Sequence, residues 1–159
     1  MLTLPGRVIE AAAHPAYRPY SVTVQRVLPL SPHLVRVTVT GDDLAVFGTR
    51  GLDQRLKLVL PLDDGTLCDL GEHDPAAQLA GDWYARWRAL PDARRNPFRT
   101  YTVRAIRPDR RQLDIDMVLH EPTPGVDDGP AARWLRRASP GDRLIVIGPD
   151  ARTADPTIG

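Results

Sequence analysis

The 159-residue chain has one cysteine, Cys68, and one lysine, Lys57, against 20 arginines. A single thiol excludes an intrachain disulfide framework and any cysteine-based metal set. In "DGTLCDL" it reads as a small core residue. The arginine excess reads as the codon bias of a GC-rich genome, not as recognition chemistry. His14, His33, His73 and His120 are scattered without metal-ligand spacing, so no metal site is expected. Net charge is only +1 at pI 8.0, which removes the broad basic footprint of a nucleic-acid binder. No apolar run approaches the roughly 18 residues of a membrane span. The start "MLTLPGRVIEAAAHP" has Arg7 as its only early positive charge and no long apolar stretch, unlike a signal peptide. These absences predict a cytoplasmic soluble domain. G-x-S-x-G, P-loop and G-x-G-x-x-G motifs are all missing.

What the chain does have is punctuation. Sixteen prolines and twelve glycines cut it into short segments, which favours strands and loops over long helices. Segments 20–28 and 33–41 are β-rich and separated by "SP", an antiparallel pair with Val35, Val37 and Val39 in register. Segment 55–61 places Leu56, Leu58 and Leu60 on one face and Arg55, Lys57 and Val59 on the other. A turn at 62–66 leads to a short strand expected through Leu67 and Leu70. At "DWYARWRAL" the period becomes helical, with Asp82 as N-cap and Trp83, Trp87 and Leu90 on one face. Segments 100–108 and 112–120 flank "DRR" as a hairpin. Leu113, Ile115 and Met117 point one way, while Asp114 and Asp116 are expected on an exposed face. A helix over 130–138 begins at Pro130, and an apolar strand ends near Pro149. Six or seven short strands with one late helix suggest an antiparallel barrel or sandwich.

Two stretches carry possible chemistry. In "RTYT", Arg99 and Tyr101 share a strand face. An arginine fork suits a phosphate and a tyrosine ring suits a planar heterocycle, so one ligand could meet both. A surface ion pair with a half-packed tyrosine fits the same spacing. In "VLHEPTPGVDDGPAARWL", a strand end passes through a glycine-containing loop to a helix start. There the N–H groups of Ala131 and Ala132 could receive an anion. An ordinary loop-to-helix junction would look the same.

In this order, "RTYTVR" (99–104), "LDIDMVLH" (113–120) and "GPAARWLRRASPGDRLIVIGP" (129–149) resemble the flavin domain of siderophore-interacting proteins. These are ferric-siderophore reductases of the ferredoxin-reductase-like superfamily. "SPHLVRVTVTGDDL", "LKLVLP" and "WYARWRALPDARRNPFRTYTVR" fit the same pattern, so the resemblance extends from about Tyr20 to Pro149.

The resemblance implies a mainly β fold: a six-stranded antiparallel Greek-key barrel, with one or two short helices, that binds FAD. By position, Arg99 would meet the phosphate side, Tyr101 would stack on the isoalloxazine, and Thr102 would lie near its N5 edge. Since Thr102 points away from Tyr101 in a flat strand, a twist or strand end is expected there. Val118, Leu119 and His120 would line the cofactor. Gly129, Ala131 and Ala132 would cradle the pyrophosphate. Relatives often carry a hydroxyl residue at the position of Ala132, which leaves only backbone donors here. Lys57 is a candidate contact for an anionic ferric siderophore, or simply part of a solvated strand face. Electron transfer needs no protein acid, base or nucleophile, so no catalytic residue is nominated.

The expected organisation is an N-terminal extension (1–19), an FAD-binding barrel (20–149) and a tail or linker (150–159) toward an absent NAD(P)H-binding domain. NAD(P)H or ferredoxin would be the electron donor. Two alternatives are a non-catalytic flavin-binding or partner-docking module, and another flavin reductase of the same superfamily.

Overall fold

The computed structural model describes residues 14–48 and 53–153; most of the expected extension and tail lies outside the described residues. Six strands form the fold: β1 Tyr17–Ser31, β2 Leu34–Thr40, β3 Arg55–Val59, β4 Phe98–Arg107, β5 Gln112–Val118 and β6 Arg143–Pro149. They close into an antiparallel barrel in the order β1-β2-β5-β4-β3-β6. Three helices accompany them: α1 Pro75–Ala80, α2 Trp83–Ala89 and α3 Pro130–Arg137. The expected barrel is therefore the observed one.

Alternation explains the interior. Val35, Val37 and Val39 of β2, Leu56 and Leu58 of β3, Leu113, Ile115 and Met117 of β5, and Leu144 and Val146 of β6 all point inward and are buried. From α3, Trp134 and Leu135 enter the same core, so the late helix plugs the barrel. Each such side chain contributes roughly 1.5–3 kcal/mol of burial free energy. A second cluster lies on the outer face of β3 and β6. There Val59, Ile145 and Ile147 meet Leu70, with Trp83, Trp87 and Phe98 packed against them.

Several local expectations fail for identifiable reasons. The segment from Leu67 to Leu70 is not a strand, because side chains capture its amides. Cys68 N donates to Asn96 Oδ1, Leu70 N to Glu72 Oε2, and Gly71 N to Asp69 Oδ1. Asp82 does not cap α2, since its carboxylate accepts from Arg86 Nε at 3.1 Å. The unanticipated helix α1 is the capped one: Asp74 accepts from the amides of Ala76 and Ala77. Strand β1 is longer than its sequence pattern, pairing with β6 through Tyr17–Thr23 and with β2 through Thr23–Ser31.

Asn96, just before the strand that begins at Phe98, is fully buried. Its Nδ2 donates to the carbonyls of Leu60 (2.9 Å) and Thr66 (2.7 Å), while its Oδ1 accepts from Cys68 N. One side chain thus ties the end of β3, the following turn and the start of β4 together.

The Asp114–Asp116 face is not the exposed surface the alternation suggested. Asp114 is buried and accepts from both Arg107 nitrogens (2.7 and 3.0 Å) and from Thr38 Oγ1 (2.8 Å). Asp116 takes a bidentate pair from Arg36 at 2.7 and 2.9 Å. Burial alone would raise the Asp114 carboxyl, but the Arg107 and Thr38 hydrogen bonds overcome it and hold the group below its ordinary value. A depressed folded value stabilises above the unfolded carboxylate range and is lost as pH falls through it. Asp114→Asn is therefore expected to cost about 1–3 kcal/mol at neutral pH, and progressively less in acid. Denaturant titrations across pH measure this, and an equal loss at both ends would refute the ion-pair account.

Candidate functional site

The ladder between β4 and β5 is incomplete. It runs from Val103↔Ile115 to Arg107↔Gln112, with a register shift between Val103 and Ala105 that leaves Arg104 as the extra residue. Phe98 through Thr102 pair only with β3. At the far side, Met117 and Val118 pair only with β2. The barrel is thus unzipped along one seam, with Arg99–Thr102 on one lip and Met117–His120 on the other. The strand runs on through Thr102 to Arg107, so no strand end falls there; the pairing with β3 ends at Thr102 and a bulge follows at Arg104.

Arg99 and Tyr101 share a face, as their spacing required. Tyr101 is half-buried and packs against the barrel core, as do Leu119 and Ala131. Burial pushes the Tyr101 hydroxyl above its ordinary value, and the neighbouring Arg99 charge opposes this. Arg99 itself is exposed, and Nη1 donates only to the carbonyl of Phe98 at 2.8 Å. Thr102 is exposed on the opposite face, paired with Arg55. Lys57 stands on that outer face too, 3.3 Å from Thr100 Oγ1 and 5.4 Å from the centre of the Phe98 ring. The structure therefore divides the nominated residues. Arg99, Tyr101, Leu119 and Ala131 belong to the seam side, and Thr102 and Lys57 to the outer side.

The second lip leads directly to the helix. Val118 is 57% exposed, Leu119 N donates to His33 O at 2.9 Å, and His120 is exposed. Gly129 is the N-cap residue of α3, and no side chain caps that terminus. Its φ of −62° and ψ of 161° suit any residue, and a Cβ there would meet nothing within 4 Å. Neither backbone conformation nor internal packing accounts for a glycine at this position. Glycine is an accepted N-cap residue, and here it also leaves room for close approach of an outside group. Pro130 has no N–H, so Ala131 and Ala132 present the first amides of α3 to that space. These donors, with the guanidinium of Arg99, are the chemistry a dinucleotide pyrophosphate requires, so the residues present fit an FAD.

Sequence reasoning missed the residues that join the two halves. Arg136 of α3 donates through Nη2 to His120 O at 2.8 Å and through Nε to Asp128 Oδ2 at 2.8 Å. Arg133, one turn earlier, contacts Asp127 Oδ2 at 3.2 Å and the Asp128 carbonyl. The signal was present as two arginines three apart on a helix directly after a loop ending in two aspartates.

A closed antiparallel barrel, unzipped beside an uncapped helix N-terminus, offers the groups a flavin dinucleotide would need. Comparison with known proteins is specific: the chain belongs to the siderophore-interacting FAD-binding domain family, whose model matches residues 23–153. It is 33% identical over 128 residues to the NADPH-dependent ferric-chelate reductase of Escherichia coli, covering 80% of this chain and 43% of that protein. It is 34% identical over 121 residues to the ferric vibriobactin reductase ViuB of Vibrio cholerae, covering 76% and 38%. Among solved structures, the siderophore-interacting protein SipS from Aeromonas hydrophila matches with a TM-score of 0.58 at 31% identity, covering 87% of this chain and 45% of that one. A siderophore utilization protein from T. fusca matches with a TM-score of 0.60 at 28% identity, covering 87% and 47%. The chain therefore spans less than half the length of each of these relatives. Among the described residues, no helix is long and apolar enough to cross a membrane, and no cluster of metal-ligating side chains occurs.

The open space at Gly129 yields a test that separates folding from cofactor binding. Aspartate is a stronger N-cap than glycine, so Gly129→Asp is expected to preserve or slightly raise the thermal midpoint. Its carboxylate would occupy the phosphate position, and FAD affinity should fall about tenfold or more. Unchanged affinity in a flavin-fluorescence titration would remove Gly129 from the cradle.

Proposed function

We propose that this domain holds FAD along the β4–β5 seam and serves a ferric-siderophore reductase. The observation that carries the reading is the seam itself, with Arg99 and Tyr101 on one lip and the uncapped start of α3 beyond the other. In this reading Arg99 neutralises phosphate and Tyr101 offers its ring to the isoalloxazine. Val118, Leu119 and His120 form the facing wall, and Gly129, Ala131 and Ala132 supply the pyrophosphate cradle. Bound FAD supplies the electron-transfer chemistry by which Fe(III) in the chelate becomes Fe(II). Reduction releases iron because siderophore oxygen donors prefer the harder ferric ion.

Lys57 stands on the outer face, and this is the side proposed for the anionic ferric chelate; Thr102, at the end of the β3 pairing, is the residue proposed near the N5 edge of the ring. On the outer face Lys57 donates to Thr100 Oγ1 and stands over the Phe98 ring. The chain's contribution is binding, orientation and charge, with no proton transfer demanded of any side chain. NAD(P)H is the donor proposed, with ferredoxin as the alternative. The organisation proposed is a barrel over 20–149 between short flanking segments, in the cytoplasm.

The purified chain is expected to bind FAD as a yellow, fluorescence-quenched complex. Arg99→Ala should weaken that complex by about 1.5–3 kcal/mol, the range for a hydrogen bond to a charged group. After anaerobic photoreduction, ferric siderophore should reoxidise the complex faster than it reoxidises free flavin. Lys57→Glu should slow this step for an anionic chelate and leave FAD affinity unchanged. Absence of FAD binding would favour a partner-docking module. Reoxidation no faster than that of free flavin would favour a flavin reductase with another acceptor.

A further inference from the structure

We propose that Arg136 is a latch that sets the width of the phosphate cradle, a positioning residue one step removed from the cofactor. The inference rests on the FAD reading above, but its geometry does not. The segment from Glu121 to Asp127 is exposed throughout, so it buries no side chain that could anchor it. Its one internal backbone bond joins Val126 N to Thr123 O at 3.1 Å. What fixes the loop is its two ends. A single guanidinium holds the carbonyl of His120 at the entry and the carboxylate of Asp128 at the exit.

Helix side chains lean toward the N-terminus, which lets Arg136 reach back along α3 to the loop. Arg133 reinforces the exit by gripping Asp127 and the Asp128 carbonyl. The anchor beneath is rigid, because Trp134 and Leu135, between these arginines, are buried in the barrel core. The latch thus fixes the strand end at His120 relative to the amides of Ala131 and Ala132. Those two elements form the facing sides of the cradle. The planar fork meets the two acceptors from two separate nitrogens, whereas a lysine at 136 keeps the charge but offers a single nitrogen.

Arg136→Lys separates this role from general stability. In the flavin-free chain, amide hydrogen exchange across residues 121–128 should accelerate while the barrel strands stay protected. FAD affinity should fall about tenfold, whereas riboflavin, which lacks phosphate, should bind as before. Asp128→Asn, which keeps the side-chain shape, should reproduce the same pattern. Unchanged loop exchange would overturn the latch, as would an equal loss of FAD and riboflavin affinity. Tighter FAD binding by Asp128→Asn would also overturn it, by showing that the carboxylate competes with phosphate. If the wild-type chain bound no FAD, the cofactor reading would fail, and the exchange measurement would still decide the latch.

Discussion

Closing six strands into a barrel requires stagger, and stagger decides where backbone groups go unpaired. In this chain β1 absorbs much of it, running 15 residues so that its first half pairs with β6 and its second with β2. Across the barrel, β4 and β5 overlap along only part of their lengths. Edge groups on a soluble sheet normally need cover. Here the uncovered stretch coincides with the arginine, the tyrosine and the uncapped helix start that together suit a flavin dinucleotide. The site proposed for the cofactor is a consequence of how the barrel closes.

The rest of the structure keeps that seam in place from both sides. On the β3 side, buried Asn96 clamps the start of β4 through three hydrogen bonds. On the β5 side, Asp114 is gripped by Arg107 just short of where the ladder ends, and Asp116, just past it, by Arg36. Removing Arg107 would leave the buried Asp114 with an uncompensated charge, which costs more than the pair gains. The strands are therefore pinned on either side of the opening, and neither can slide to close it.

Legibility from sequence followed the period of the pattern. Alternation identified the inward faces of β2, β3 and β5, and the fork-and-ring pair of Arg99 and Tyr101 marked the seam strand. Alternation misread Asp114, because it reports which face a residue is on and not what covers that face. The covering groups, Thr38 and Arg107, come from two other strands. The residues from Leu67 to Leu70 looked like a strand because their apolar spacing is real. Leu70 is indeed buried, but its amide is taken by Glu72, and side-chain capture of amides leaves no periodic signal. Arg136 was only half legible for a related reason: its spacing to Arg133 and the preceding aspartates is in the sequence, but one of its partners is a main-chain carbonyl.

The helix proposed to supply the cradle shows how rigid and adjustable parts are combined. Trp134 sits in the core with its indole Nε1 lacking a hydrogen-bond partner. A buried donor of this kind costs free energy, so the packing of the ring, not its polar tip, holds α3 in the barrel. Apolar packing is short-ranged and unforgiving of displacement. It therefore fixes the direction in which the free amides of α3 point more firmly than a surface contact could. The exposed loop before the helix needs only its ends held to complete the site. Placement of the anion donors is set by the barrel core, and the spacing between His120 and the start of α3 by charge-assisted bonds at the surface. The first resists salt and the second weakens with it, so ionic strength acts on the cradle without acting equally on the fold.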